Sequence, residues 1–378
     1  MAGEINTMAL DGIVISALAA ELQELVGGRV DKIYMPERDE IVAAVRSRGS
    51  NYRLLLTSST HPRAHFTKQT KENPMQPPLF CMVLRKHLSG GRVLAIVQPG
   101  FERILEFHIE SPDEMGDITT KRLIIEIMGK HSNVILVGGD KIIDSIKRVN
   151  REISSVREIL PGCTYERPPS GGKADPTRLE FAGFSTRVRS NQGLQLQNII
   201  YGGYSGISPL MASEVCTRAG VGADEFGANI QNAEIERIYS VFESLMADVA
   251  ACRFLPEIIV NTKNMPIEFS AVEMSCYSGY KKVRFDSMSE LLEDYYASKD
   301  KIFRISQKTT DLRKLVRQAW ERAVRKKDAH IRTLREIKDR DTLKLWGELI
   351  IANVYAIKQG MTSFTTKLLQ RRANRDFA

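Results

Sequence analysis

Cysteine is scarce in this sequence. Its 378 residues hold five, at positions 81, 163, 216, 252 and 276, and no two form a CxxC pair. A scattered, odd set excludes a disulfide framework and a zinc finger, and points to reduced thiols in a cytoplasmic protein. The six histidines show no ligand spacing, so neither a metal nor another cofactor is expected. Long apolar runs are missing too. None approaches the roughly 20 residues that cross a bilayer, so a membrane is not an expected partner. The opening, MAGEINTMALDG, lacks a basic stretch followed by an apolar one. No secretory signal is therefore expected, and the natural start is read near Met8.

Acidic charge falls short of basic charge, with 46 Asp and Glu against 54 Lys and Arg. The imbalance is local. Residues 299–344 hold sixteen Lys and Arg against seven Asp and Glu, an excess of nine that outweighs the net +8 of the whole chain. A polyanion partner is expected to meet this segment.

Periodicity divides the chain. GIVISALAAELQELV (12–26) puts Ile13, Ala17, Leu18, Leu22 and Leu25 on one helical face, and Gly27-Gly28 ends the helix. RVDKIYMP, EIVAAVRS and YRLLLTSS follow as strands, and the polar 59–78 reads as loop. PPLFCMVLRKHLSGG predicts a second helix, led in by Pro77-Pro78 and closed by Gly90-Gly91. Strands are expected at 92–97, 104–110, 121–128 and 133–138. Residues 1–173 are thus an α+β domain with much antiparallel strand. At its end, 161–176 (PGCTYERPPSGGKADP) reads as a linker and domain boundary.

Residues 174–254 switch to helical spacing. IIYGGYSGISPLMASEV reads as helix, glycine turn, helix. It resembles a helix-hairpin-helix whose turn offers N–H groups to a phosphate, with Gly206 at the first glycine position and Ser208 replacing the second; a plain αα-hairpin fits as well. Strands over 255–285 are expected to return to the first domain. Residues 286–358 form one long helical pattern, the first arm of a coiled coil. Ile302, Ile305, Thr309, Leu312, Val316, Ala319 and Ala323 make a heptad seam that weakens at Lys326, Lys327 and His330 and resumes at Leu334 and Ile337. A lone arm cannot bury such a stripe and wants a partner helix.

QPGFERILEFHIE (98–110) combines a Pro-Gly turn, the pair Glu102-Arg103, and a strand from residue 104. The scaffold holds that junction firmly. On residue physics alone, a surface ion pair worth little accounts for the pair. The alternative is that it holds a ligand.

Eight stretches, in order, carry a resemblance. They are DGIVISALAAELQELVGGRVDKIY (11–34), PPLFCMVLRKHLSGGR (77–92), QPGFERILEFHI (98–109), IIEIMGKHSNVILV (124–137), LPGCTY followed by PP (160–169), GISPLMASEV (206–215), YYASKD (295–300) and WGELIIANVYAIKQG (346–360). Together they resemble the NFACT family, whose bacterial members are often labelled fibronectin-binding protein A. The resemblance runs to about Ser363. It implies an N-terminal domain like that of formamidopyrimidine-DNA glycosylases, then a helix-hairpin-helix domain and a long antiparallel coiled coil. It also implies ribosome-associated quality control. The partners would be the large ribosomal subunit, peptidyl-tRNA with a stalled nascent chain, and a recruited tRNA, in bacteria chiefly alanyl-tRNA. The chain would then gain a C-terminal tail without mRNA. Bond formation belongs to the ribosome, so the protein is expected to recruit and not to act as an enzyme.

The family pattern has an acidic residue followed by Arg, usually Asp-Arg, where Glu102-Arg103 stand, and associates it with tRNA engagement. Arg supplies a planar set of donors for phosphate or a base edge, and a carboxylate accepts from exocyclic amines. Glu for Asp adds a methylene and changes the reach. Further tRNA contacts are expected at Arg85 and Lys86, in a basic triplet with His87, and at Lys130 and His131, in a turn between strands. A solvated face and plain turn chemistry are the competing accounts. Arg148 and Arg151 would line the same groove. On the arm, Arg313, Arg317, Arg322, Arg325, Lys326 and Lys327 are expected to give sequence-independent affinity for ribosomal RNA. Met35 stands where the family often has Gln, a change without a physical account.

The chain closes KLLQRRANRDFA, where the family continues Asn-Tyr-Tyr and a returning arm. Residues 367–378 read as an out-of-frame tail: if Lys367-Leu368-Leu369 were encoded AAA-TTA-CTA, a shift of one base would give Asn-Tyr-Tyr. Residues 359–378 are thus expected to be an atypical end, and the unpaired seam to self-associate with another copy. Two other functions compete. An adhesin for fibronectin or fibrinogen lacks support from any signal, anchor or repeat. A glycosylase would use an N-terminal proline amine and a four-cysteine zinc finger, whereas this chain opens Met-Ala-Gly, or Met-Ala-Leu from Met8.

Overall fold

The computed structural model describes residues 10–113, 115–363 and 365. Met8 and the 367–378 tail, with its expected frame shift, lie outside the described residues, as do the seam side chains of Ile302 and Ile305. The chain divides into two units, Met1–Asp300 and Lys301–Ala378.

In the first unit, α1 (Gly12–Leu22) starts where Asp11 caps it, its Oδ1 accepting from Val14 N at 3.0 Å. Gly27, at φ 84, then turns the chain into β1 (Arg29–Glu37), followed by β2 (Glu40–Ser47) and β3 (Ser50–Thr57). The expected loop at 59–78 contains a strand, β4 (Arg63–Phe66), paired to β3 from Leu54↔Phe66 to Thr57↔Arg63. Arg-Ala-His-Phe has little strand propensity. Tertiary contacts hold it: Ala64 is fully buried, and Phe66 N donates to Ser289 Oγ at 3.1 Å.

Helix α2 (Leu79–Leu88) and strands β5 (Arg92–Val97), β6 (Ile104–Pro112), β7 (Ile118–Glu126) and β8 (Asn133–Gly138) lie where patterning places them. A further strand, β9 (Lys141–Ser145), pairs with β8 and is short enough to escape the pattern. The nine strands make one antiparallel sheet, ordered β4-β3-β2-β1-β5-β6-β7-β8-β9. Lys147 Nζ donates to Ser58 O and Ser132 O, which ties the segment after β3 to the start of β8. Ile13, Ile15, Leu18, Ile41, Leu56, Leu84 and Phe107 are fully buried between helices and sheet. Burial of each is worth about 1.5–3 kcal/mol.

A helical block follows: α3 (Phe181–Ser190), α4 (Leu196–Gly203), α5 (Pro209–Arg218) and α6 (Asn232–Ala250). Phe184, Tyr204 and Phe242 pack at its centre, with ring centroids 5.2–6.4 Å apart. The returning strands β10 (Glu257–Val260), β11 (Pro266–Ser270) and β12 (Lys281–Arg284) do not extend the large sheet; they form their own, ordered β11-β10-β12. Glu214 of α5 holds the turn between β11 and β12, accepting from Ser275 N at 2.7 Å and Cys276 N at 2.9 Å.

The long helix α7 (Met288–Ala352) has 65 residues. Its first turns belong to the first unit, where Met288, Leu291, Leu292, Tyr295 and Tyr296 are buried. Glu21 of α1 accepts from the backbone of Met288 and Ser289 and from Ser289 Oγ, so another helix supplies the cap. In the second unit the described seam is exposed: Leu312 at 64%, with Trp320 at 65% and Trp346 at 57%. These are the only two tryptophans of the chain. No helix among the described residues is long and apolar enough to cross a membrane.

Candidate nucleic-acid interface

Antiparallel pairing gathers the end of β5, the start of β6, the end of β7, the start of β8 and the end of β9 at one end of the sheet. The turn Pro99–Phe101 sits there, with Gly100 at φ 57 and Phe101 at φ 56. A left-handed phenylalanine costs about 1–2 kcal/mol, so its surroundings must hold it. They do so by close packing. Gly12 N donates to Gly206 O at 2.6 Å, and a Cβ on Gly206 would lie 2.2 Å from Phe101 O. The start of α1, the 99–101 turn and the α4–α5 turn therefore interlock, and Glu102-Arg103 emerges from that lock.

Side chains complete it. Ser208 Oγ donates to Asp11 Oδ2 at 2.8 Å and accepts from Met211 N at 3.1 Å. Ser205 Oγ donates to Glu102 Oε1 at 2.9 Å. Gln98 Nε2 donates to Gly12 O at 2.9 Å and Glu102 O at 3.0 Å. Arg103 O accepts from Ile127 N at 2.8 Å and so extends the β6–β7 ladder. The α4–α5 turn differs from the expected phosphate-presenting one. Ser205, Ile207 and Ser208 are buried, and Ser205 N is engaged by Ala174 O at 2.9 Å. Ser208, in the second glycine position, caps α5 instead.

Charge is poorly solvated here. Burial raises the pKa of Asp11, opposed by hydrogen bonds from Val14, Ser208 and Ile13 and by the Arg103 charge. Burial lowers that of Arg103, opposed by Asp11 and Glu102. Burial also lowers that of Lys173, and the Arg103 charge lowers it further, against Glu102. Asp11, Lys173, Ser205 and Ser208 were not singled out from sequence as partners of the Glu102-Arg103 pair. Asp11 carries a readable signal, a capping residue before an apolar helix, whereas Lys173 falls in a stretch that reads as linker.

The remaining candidates distribute unevenly. Lys130 and His131 lie exposed in the turn Gly129–His131 after β7, at the same end of the sheet as Arg103. Ser132 and Asn133 build that turn: Ser132 Oγ accepts from Met128 N at 2.8 Å, and Asn133 Oδ1 accepts from Lys147 N at 3.0 Å. Arg148 and Arg151 share this end but pair with Asp144 at 3.0 Å and Glu158 at 3.3 Å.

Arg85 and Lys86 are not brought to the pair. Their neighbour His87 accepts through its carbonyl from Ser111 Oγ, eight residues along from Arg103, or about 25 Å at the strand rise. Arg85 Nε donates to Ile33 O at 2.8 Å, and the triplet occupies the last turn of α2, where cations suit the helix dipole. On the arm, Arg313, Arg317, Arg322, Arg325, Lys326 and Lys327 are exposed, and Arg317 and Arg325 flank Glu321 at 3.5 and 3.9 Å. Among the described residues no three His, Cys, Asp or Glu side chains gather as a metal set.

Residues 11–374 match the family model of NFACT N-terminal and middle domains. The Rqc2 homolog RqcH of Bacillus subtilis is 36% identical over 359 residues, 93% of this chain and 60% of its own length. The chain thus spans about 60% of the length of the bacterial RqcH relatives it matches. Among solved structures, the fibrinogen binding protein from Staphylococcus aureus is 30% identical with a TM-score of 0.65, covering 76% of this chain and 99% of that one. The N-terminal part of the fibronectin/fibrinogen-binding protein from Streptococcus suis is 32% identical with a TM-score of 0.62 over 76% and 99% of the two chains. With a family model matched over nearly all its length, the chain belongs to the NFACT family and carries that family's N-terminal and middle domains.

Proposed function

We propose that this chain serves ribosome-associated quality control. It binds a large ribosomal subunit that still holds peptidyl-tRNA with a stalled nascent chain. It then recruits tRNA, alanyl-tRNA first of all, so that the stalled chain gains a C-terminal tail without mRNA. Peptidyl transfer remains with the ribosome, and the protein contributes no catalytic residue. The relatives named as Rqc2 homologs support this reading. The observation that carries it is the lock of three segments from which Glu102-Arg103 emerges. An arginine whose backbone is fixed in that way and whose charge is partly desolvated suits a phosphate or base edge better than a surface ion pair does. Lys130 and His131 flank the same RNA, while Arg85 and Lys86 meet a separate stretch of its backbone.

In this reading residues 1–173 are the platform and 174–254 a helix-hairpin-helix domain whose turn braces the platform. Residues 255–285 connect back, and 286–358 are the first coiled-coil arm. The six arm cations named above meet ribosomal RNA, and the open seam takes a second helix, from another copy of this chain. Crosslinking in cells with sequencing of the bound RNA tests the proposal. Enrichment of tRNA with large-subunit RNA, and loss of the tRNA alone in Arg103→Glu, is expected. Bulk RNA without tRNA preference overturns it. The names of the staphylococcal and streptococcal structures favour a second reading, a fibronectin- or fibrinogen-binding adhesin. Saturable fibronectin binding at physiological salt, without tRNA enrichment, would replace the first reading with that one.

A further inference from the structure

The stretch around Lys173 reads as linker, yet the fold pins it. Ala174 N donates to Gly203 O and Ser205 N to Ala174 O, both at 2.9 Å, so the backbone is stitched along the end of α4. Lys173 Nζ donates to Tyr201 O at 2.8 Å and stands 5.3 Å from the centroid of the Tyr201 ring, which orients the ammonium. Lys173 is half-buried, and among the described residues no carboxylate lies within ion-pair distance of it. Two of its three donors therefore have no protein acceptor. Its charge is felt by Arg103 and Glu102. Glu102, whose Oε1 accepts from Ser205 Oγ, favours the charged ammonium without forming an ion pair with it.

Ser205 joins the two segments, its N–H donating to Ala174 O and its Oγ to Glu102 Oε1, so a half-buried ammonium with two open donors stands next to the Glu102-Arg103 junction and favours an anion there. We propose that Arg103 and Lys173 form one seat for a single phosphate of bound RNA, and that Glu102 is a positioning residue that fixes the seat through Ser205. The guanidinium supplies a planar fork and the ammonium a point charge, which together match the oxygens of one phosphodiester. This rests on the tRNA reading above and adds to it a residue and a division of labour.

The test uses the full chain and a labelled, deacylated alanine tRNA transcript, with Kd measured from about 50 to about 200 mM salt. Arg103→Ala and Lys173→Ala are each expected to weaken binding about tenfold, and Lys173→Arg to restore it. The double variant should lose less than the product of the two, and about one unit of the log K against log salt slope, not two, because one phosphate is shared. Glu102→Ala removes the acceptor of Ser205 and is expected to weaken binding, and Glu102→Gln, which keeps that acceptor, to restore it in part; equal losses in the two would overturn positioning through Ser205. If Lys173→Ala does not fold, Lys173→Met keeps the stem on Tyr201 and removes the charge. If Lys173→Ala and Lys173→Met bind like wild type while Arg103→Ala weakens, the shared seat is wrong and the tRNA reading stands. Multiplicative losses would mean two separate phosphates and also overturn the seat. Unchanged binding in Arg103→Ala overturns both.

Discussion

Arg103 and Asp11 share one lock but answer to different measurements. Arg103 is half-buried with its backbone fixed by Ile127, so it acts through geometry as well as charge. Arg103→Lys keeps the charge and loses the planar fork. It is expected to weaken tRNA binding about tenfold, about 1.4 kcal/mol, by titration; equal affinity would show that a point charge suffices. Asp11 works on stability. Asp11→Ala removes the α1 cap and the acceptor of Ser208 Oγ, with an expected loss of about 1–2 kcal/mol in denaturant unfolding. Asp11→Asn keeps the cap and should lose less. Glu214 contributes to acid sensitivity. Burial pushes its carboxyl up, but hydrogen bonds from Cys276, Ser275 and Arg218 outweigh that and hold it below the ordinary 4.5. Its stabilisation is therefore complete above that value and drains as pH falls through the lower folded pKa. Glu214→Gln should unfold at lower temperature at neutral pH and show a flatter decline on acidification.

At the scale of elements, Gly202 and Gly206, one helical turn of sequence apart, behave oppositely. Gly206, at φ 69 with no room for a Cβ before Phe101 O, cannot be replaced without opening the lock. Gly206→Ala is expected to cost about 2 kcal/mol or more. Gly202, inside α4 with nothing within 4 Å, should gain about 0.5–1 kcal/mol as alanine. Thermal unfolding of both variants checks the contrast. Most elements were legible because their apolar spacing is strong: α1, α2 and the strands from β1 to β3 and β5 to β8 follow it closely. β4 and β9 were not, because they have four and five residues and are held by partners, not by pattern. The pair Glu102-Arg103 stands out as a candidate in the sequence from its place after a Pro-Gly turn and from the family resemblance. Its supports do not, because Ser205 is 103 residues from Glu102 and Ser208 is 197 from Asp11. No local window joins residues so far apart.

For the whole molecule, charge and apolar exposure concentrate on the second unit. The described cations of α7 face water, with Glu321 as a shared partner for Arg317 and Arg325. Exposed pairs of that kind are worth little, so these cations remain available to a polyanion. Replacing Arg313, Arg317, Arg322, Arg325, Lys326 and Lys327 by Gln should weaken binding to ribosomal and unrelated RNA alike. The salt slope should fall by about 0.9 for each duplex-like phosphate that the variant no longer neutralises. An unchanged slope would remove the arm from the interface. The capping by Glu21 fixes, within the first unit, where α7 starts. The two tryptophans, both solvent-facing on α7, give this unit an optical signature of its own. Selective excitation of indole leaves the tyrosines of the first unit dark, so the emission colour of the unlabelled chain reports whether its rod is bathed in water or sheathed by a companion.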